Sequence, residues 1–351
     1  MPVAADGAAR LAAALPPLTT GRVLAGWQFA PVVTAVLAAA AAAYLTGAWR
    51  VARRHPARPW PTARTGAFLL GLAVIAAATQ SGVGRYDGTA FSMHMVQHVL
   101  LIMVAPPLLV WGRPLTLLLH SAGNPVHTWV KRALRSRAAA TLTCPPVALL
   151  AYALVVAGTH TPPVMDFVLR NDAAHNAEHA TYLLTGYLFF LLAAGSEPIR
   201  WQVSMPGRYL LLLAAMQVDT VVGVVLMIAG HEIFPGYAGT PPAWGAGPLA
   251  DLHRGGVIMF AGSDIVMTVL ALAVSVAFLR SPRSAGRLGG WAEGVRTRAL
   301  LRNLAAAGVR VPSRLAAGRT VDDDAHLAAY NAYLAAVSER DRHPGSPGPA
   351  H

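Results

Sequence analysis

The chain has 351 residues, 55% of them hydrophobic and only 13% charged, and its mean hydropathy is positive. That composition excludes an ordinary soluble domain and points to an all-α polytopic membrane protein, in which each crossing needs about 20 predominantly apolar residues. A basic rim beside anionic lipid headgroups accounts for the net charge of +12 without nucleic acid, and the single cysteine, Cys144, excludes a disulfide framework or a thiolate metal carrier.

Residues 1–26 form an extracytoplasmic N-terminal segment. Its apolar stretch, Leu11 to Leu15, is brief and runs into Pro16 and Pro17, so it makes no convincing cleavable signal; the first long helix is expected to act as the insertion signal. Seven apolar runs follow within a membrane domain at 27–280: Trp27 to Trp49, Gly66 to Val83, Phe91 to Trp111, Ala138 to Thr159, Thr181 to Ala194, Tyr209 to Gly230 and Gly256 to Leu279. The fifth is short unless it begins near Asp172. Alanine, glycine and proline abound in them, as expected where helices pack closely in lipid. With the N-terminus outside, 23 of the 28 basic residues lie on the inner side, and every alternate loop obeys the positive-inside rule.

Residues 281–351 are arginine-rich and too polar to span, and are expected to form a basic cytoplasmic tail. A short helix is expected near 322–339, opened by Asp322, Asp323 and Asp324, whose charge suits a helix N-terminus. Leu327, Tyr330, Leu334 and Val337 give it an apolar stripe for docking. From His343 onward the Pro- and Gly-rich composition predicts disorder.

Seven of the thirteen histidines fall on the expected outer face. His94 and His98 in the third helix, and His175 and His179 in the fifth, are each spaced four residues apart, so each pair shares one helix face. Two imidazoles on successive turns can grip one ion. A lone HxxxH pair more often serves interhelical hydrogen bonding, but two pairs at matching depth, with three further histidines on that side and a single cysteine in the chain, favour metal. Asp172 is expected to cap the fifth helix, and Glu178 is available as a third ligand or as the acceptor that fixes a histidine tautomer. His160, His231 and His253 occupy outer loops or helix ends from which they can add to the site. Met95 and Met259 read as gap-fillers that become ligands if the ion is cuprous. Two acids, Asp219 and Asp264, lie deep in the sixth and seventh runs, where they either carry protons or hydrogen-bond between helices. Pro106-Pro107 is expected to kink or break the third helix.

The run from Phe91 through Pro114 resembles the signature of the CtaG-type cytochrome c oxidase assembly factors associated with caa-type oxidases, a polytopic family distinct from the single-helix copper chaperone that shares the name. The resemblance continues through His160-Thr-Pro-Pro163, His175-Asn-Ala-Glu-His179, Glu197-Pro198 and Asp251 to Met259. It implies a seven-helix, multi-pass protein of the bacterial plasma membrane, not itself an enzyme, that works with cytochrome c oxidase subunits among the membrane lipids. Copper delivery is the usual conjecture for the family. On the resemblance, His94, His98, His175 and His179 fall on its histidine motifs and Asp251 and Met259 on its last-helix motif, whereas His253 departs from a position where relatives often carry Gln. Ala329 to Tyr333 resembles the tails of actinobacterial members.

The residues by themselves leave two other chemistries open. One is an intramembrane zinc hydrolase with three histidines on zinc, a water-positioning acid such as Asp264, and a lipid amide or ester as substrate. The other is a cytochrome with haem held between one histidine from each pair. All three depend on the imidazoles of the third and fifth helices meeting.

Overall fold

The computed structural model describes residues 15–195, 197–238 and 247–279, and scattered positions between 299 and 342. The described residues contain helices and no strands. The first of two units, residues 1–271, holds the helix bundle. Its main elements are α1 (Pro31–Arg54), α2 (Thr62–Gln80), α3 (Phe91–Val99), α4 (Ala105–Trp111), α5 (Pro114–Ser121), α6 (Val126–Leu134), α7 (Pro145–Thr159), α8 (Pro162–Leu169), α9 (Asp172–Ala194), α10 (Met205–Met227), α11 (Pro248–Val257) and the first part of α12 (Ser263–Leu279). The second unit, 272–351, takes in the end of α12 and the tail. The expected helix near 322–339 lies largely outside the described residues; of that stretch, positions 330, 331, 333–335 and 338 are described and helical.

Among the described residues, five helices are long and apolar enough to cross a bilayer: Pro31–Arg54, Thr62–Tyr86, Phe91–Ser121, Met205–Met227 and Pro248–Val276. A sixth is obtained if α7 and α8 are taken as one span, although the chain bends by 74° between them. Two of the seven expected runs therefore look different in three dimensions. The fourth is interrupted by Cys144 ahead of the Pro145-Pro146 start of α7, and the chain turns sharply at His160, just past its end. The fifth is only the apolar half of α9, which begins at Asp172 and has 23 residues; its first turns carry Asp172, His175, Glu178 and His179, which make that part too polar to count as an apolar crossing. The long helices expose large apolar side chains, with Leu70, Leu154, Leu184, Leu210 and Ile265 more than half exposed, as a lipid solvent requires.

Prolines set the central rod, the span Phe91–Ser121 that runs from α3 to α5. Pro106 and Pro107 cannot donate backbone hydrogen bonds, and the chain accommodates them with a π turn at Leu100–Val104 immediately before them, so the rod continues instead of breaking. The freed carbonyl of Ile102 faces Gly186 of α9, where a Cβ would collide with it and sit 2.8 Å from the Pro106 ring. Gly186 thus lets α9 lie against the rod, on the same stripe as His175, His179 and Tyr182. A second close approach joins α10 to the last helix, where a Cβ on Gly223 would stand 2.9 Å from the Gly256 carbonyl. A second π turn, Ile258–Gly262, begins two residues later.

Candidate metal centre

The central rod and α9 place four imidazoles at one end of the bundle, and His160 at the end of α7 adds a fifth. In α3, His94 and His98 are one turn apart with ring centroids at 4.2 Å. In α9, His175 and His179 repeat that spacing at 4.4 Å. The two pairs meet: His94 stacks on His175 at 5.4 Å with the rings 11° from parallel. His98 stacks on Tyr182 at 3.9 Å and meets His160 edge-on at 5.7 Å. Both histidines of α3 are essentially inaccessible, at 0% and 1% exposure.

Glu178 sits among them. Its two carboxylate oxygens lie 3.6 Å from His94 Nε2 and 3.5 Å from His98 Nε2, too far for hydrogen bonds. Tetrahedral ligands at about 2.0–2.1 Å from an ion lie roughly 3.3–3.4 Å from one another, so these separations are near those of a shared coordination sphere. Both nitrogens of His94, both of His98, Nε2 of His175 and both oxygens of Glu178 are buried without a hydrogen-bond partner. Buried polar atoms are nearly always paired, and so many orphans in one place mark a donor set that fits a cation. Ligand atoms of His94, His175 and Glu178 lie within 4.8 Å of one another, as do those of Asp87, His175 and His179.

A surrounding layer orients the cluster. Gln97 accepts at Oε1 from His179 Nε2 at 2.8 Å, while its amide donates to Asp87 at 2.9 Å and to the Ala78 carbonyl at 3.0 Å. Asp87 lies 3.7 Å from His175 Nε2, and its backbone carbonyl accepts from the Tyr237 hydroxyl at 2.8 Å. Burial pushes the Asp87 carboxyl up to about 6, against the pull of the His175 charge and the Gln97 hydrogen bond. His160 is fixed by Nδ1 on the Val156 carbonyl at 2.7 Å, and its Nε2 stands 3.1 Å from the Met95 sulfur.

The remaining expected residues lie elsewhere. His231 is exposed beyond α10, and His253 points Nε2 at the Ala229 carbonyl, 2.9 Å away, so neither is among the donors that meet. Met259 is buried in the second π turn. Asp251, on the last-helix motif, binds the start of α3: its carboxylate accepts from the Ser92 hydroxyl at 2.5 Å and the Ser92 amide at 3.2 Å, which anchors the helix carrying His94 and His98. Asp219 is fully buried and accepts from the Tyr152 hydroxyl at 2.8 Å, joining α10 to α7; one oxygen each of Asp219 and Asp264 has no partner. At the start of α9 the cap is Asn171, whose side chain accepts from the amides of Ala173 and Ala174, and Asp172 is a first-turn acid instead. Asp87 and Gln97 escaped the sequence argument. Asp87 sits in a turn after Tyr86 with no spacing to tie it to a histidine, and Gln97 lies beside the His pair as an ordinary polar helix residue.

A family model described as cytochrome c oxidase caa3 assembly factor matches residues 42–281. An uncharacterized protein of Mycobacterium bovis and one of Mycobacterium tuberculosis are each 30% identical to this chain over 275 residues, 76% of this chain and 41% of theirs. A third, from Mycobacterium leprae, is 28% identical over 262 residues, 72% of this chain and 40% of its own. The chain thus spans about two fifths of the length of these relatives. No solved structure matches it.

Proposed function

The chain belongs to the cytochrome c oxidase caa3 assembly factor family, and we propose that it binds copper at the histidine cluster and hands it to the oxidase during assembly. His94, His98, His175 and Glu178 supply the primary donors. His179 is oriented by Gln97, and His160 with Met95 offers an imidazole and a thioether, the pair of donors that suits a cuprous ion, beside His98. Exchange proceeds by stepwise ligand replacement, one donor of the recipient displacing one imidazole at a time. In this reading α7 and α9 complete seven crossings of the bacterial plasma membrane. The N-terminus and the cluster then face outward, and the arginine-rich loops face the cytoplasm. A cargo ion held at that end can pass sideways to an oxidase subunit without leaving the membrane.

The observation that carries the proposal is the set of buried imidazole nitrogens and Glu178 oxygens that face one another with no hydrogen-bond partner. Its test is elemental analysis of purified protein after loading with copper or zinc, comparing the native chain with His94→Ala/His98→Ala, and recording the visible spectrum for haem. Copper retained by the native chain and lost by the double variant is the expected result. Equal copper in both would remove the site, and tight zinc or a Soret band would replace the copper assignment.

A further inference from the structure

At the end of the bundle remote from the histidines, a pocket of about 500 Å³ opens between α6, the end of α5 and the segment that joins α9 to α10. His127 and Lys131 of α6 and Arg135, which caps its C-terminus, lie at successive four-residue intervals and line it on one side, with Arg200 on another and Leu119 and Ile199 among the apolar walls. Lys131, Arg135 and Arg200 are exposed, and among the described residues none of them forms an ion pair with a carboxylate. The helix that carries most of these charges has no buried residue. It presents Trp129 at 65% and Val126 at 46% exposure, on a different face from the one lining the pocket. A basic face, an apolar face and an exposed Trp describe a helix lying in a bilayer interface.

We infer that this pocket binds the headgroup of an anionic phospholipid. Charge complementarity selects the ligand: three permanent cations and an imidazole gather without a counter-ion, which suits a lipid of net negative charge better than a zwitterionic one. The apolar walls select a lipid over a free anion, because Leu119 and Ile199 offer nothing to inorganic phosphate and a surface to the glycerol and upper acyl carbons. Bound there, the lipid ties α6 to the α9–α10 connection, two segments far apart in the chain. The inference is independent of the copper reading, since no residue of the pocket belongs to the histidine cluster.

The test is native mass spectrometry of the full chain released from micelles containing phosphatidylglycerol or phosphatidylcholine. The native chain should retain one phosphatidylglycerol that Lys131→Gln/Arg135→Gln/Arg200→Gln loses, with apparent affinity falling roughly tenfold or more. Arg50→Gln/Arg53→Gln/Arg132→Gln removes as many charges outside the pocket and should keep that lipid. Leu119→Trp leaves the charges and fills the apolar wall, and should lose it too; this variant and single Arg135→Gln decide the matter if the triple variant fails to fold. Equal retention in the pocket and control variants would overturn the inference. So would equal binding of phosphatidylcholine, or displacement of the lipid by millimolar inorganic phosphate, which would make the pocket a site for free anions.

Discussion

Two buried glutamates, one within α9 and one just beyond its end, have opposite surroundings. Glu197 is 3% exposed and fully employed: its carboxylate accepts from the amides of Leu115 and Thr116 at 3.1 and 3.0 Å and from the Thr116 hydroxyl at 2.5 Å. It caps the start of α5, where Arg113 takes a left-handed φ of 53° ahead of Pro114 and leaves the first amides of the helix needing an acceptor. Burial pushes the Glu197 carboxyl up, and the hydrogen bonds from Thr116 and Leu115 pull it back. Glu178, at 5% exposure, accepts no hydrogen bond and faces imidazole nitrogens that also lack partners. An acid paired with backbone amides is complete without a ligand; an acid among other lone pairs is completed only by a cation or a proton. Burial of a carboxylate by itself therefore says nothing about function, and the identity of its neighbours does.

The contrast can be broken most directly at Glu178. Glu178→Gln should lower copper affinity by about tenfold or more while leaving thermal unfolding of the apo protein nearly unchanged, as read by a chelator-competition titration beside a melting curve. Loss of stability with intact copper binding would make Glu178 a second Glu197. The next largest effect is expected at Gly186→Val, which puts branched carbon against the Ile102 carbonyl and the Pro106 ring. It should cost roughly 1–3 kcal/mol in unfolding free energy and also weaken copper binding, because α9 carries His175 and His179 away from α3. Normal copper affinity in a destabilised Gly186→Val protein would uncouple helix approach from the site.

Glu197→Gln tests the other side of the comparison. It replaces an acceptor with an amide facing donors and should cost about 1–3 kcal/mol, measured by chemical denaturation, with copper stoichiometry unaltered. The smallest effect is expected at Asp251→Ala, where loss of the bonds to Ser92 should cost about 0.5–2 kcal/mol. A modest fall in copper affinity should accompany it as the first turn of α3 loosens. If Asp251→Ala abolished copper binding at unchanged stability, Asp251 would be a ligand and its Ser92 contacts incidental.

The helical membrane class was legible because lipid forces a long apolar run wherever a helix crosses, and such runs survive in any reading of the chain. The span count was less so. The fourth run reads as continuous hydrophobicity, yet Cys144-Pro145-Pro146 divides it, and local composition carries no measure of the 74° bend just beyond its end. Within the candidate centre, the four-residue spacing put His94 with His98 and His175 with His179, since helix geometry alone decides that. The partnership of Asp87 with His175 and of Gln97 with His179 joins residues 82 or more positions apart, and no periodicity reports such a contact.

Chain composition and helical period by themselves determined that this protein is a membrane helix bundle and that its imidazoles occur in same-face pairs. Those properties follow from neighbours within a few residues and from the solvent the chain must satisfy. Tertiary packing decided which pairs meet, and with what geometry. The missing side chain of Gly186 and the π turn before Pro106-Pro107 set how closely α9 approaches the rod. That distance is a property of two surfaces, and neither segment encodes it alone.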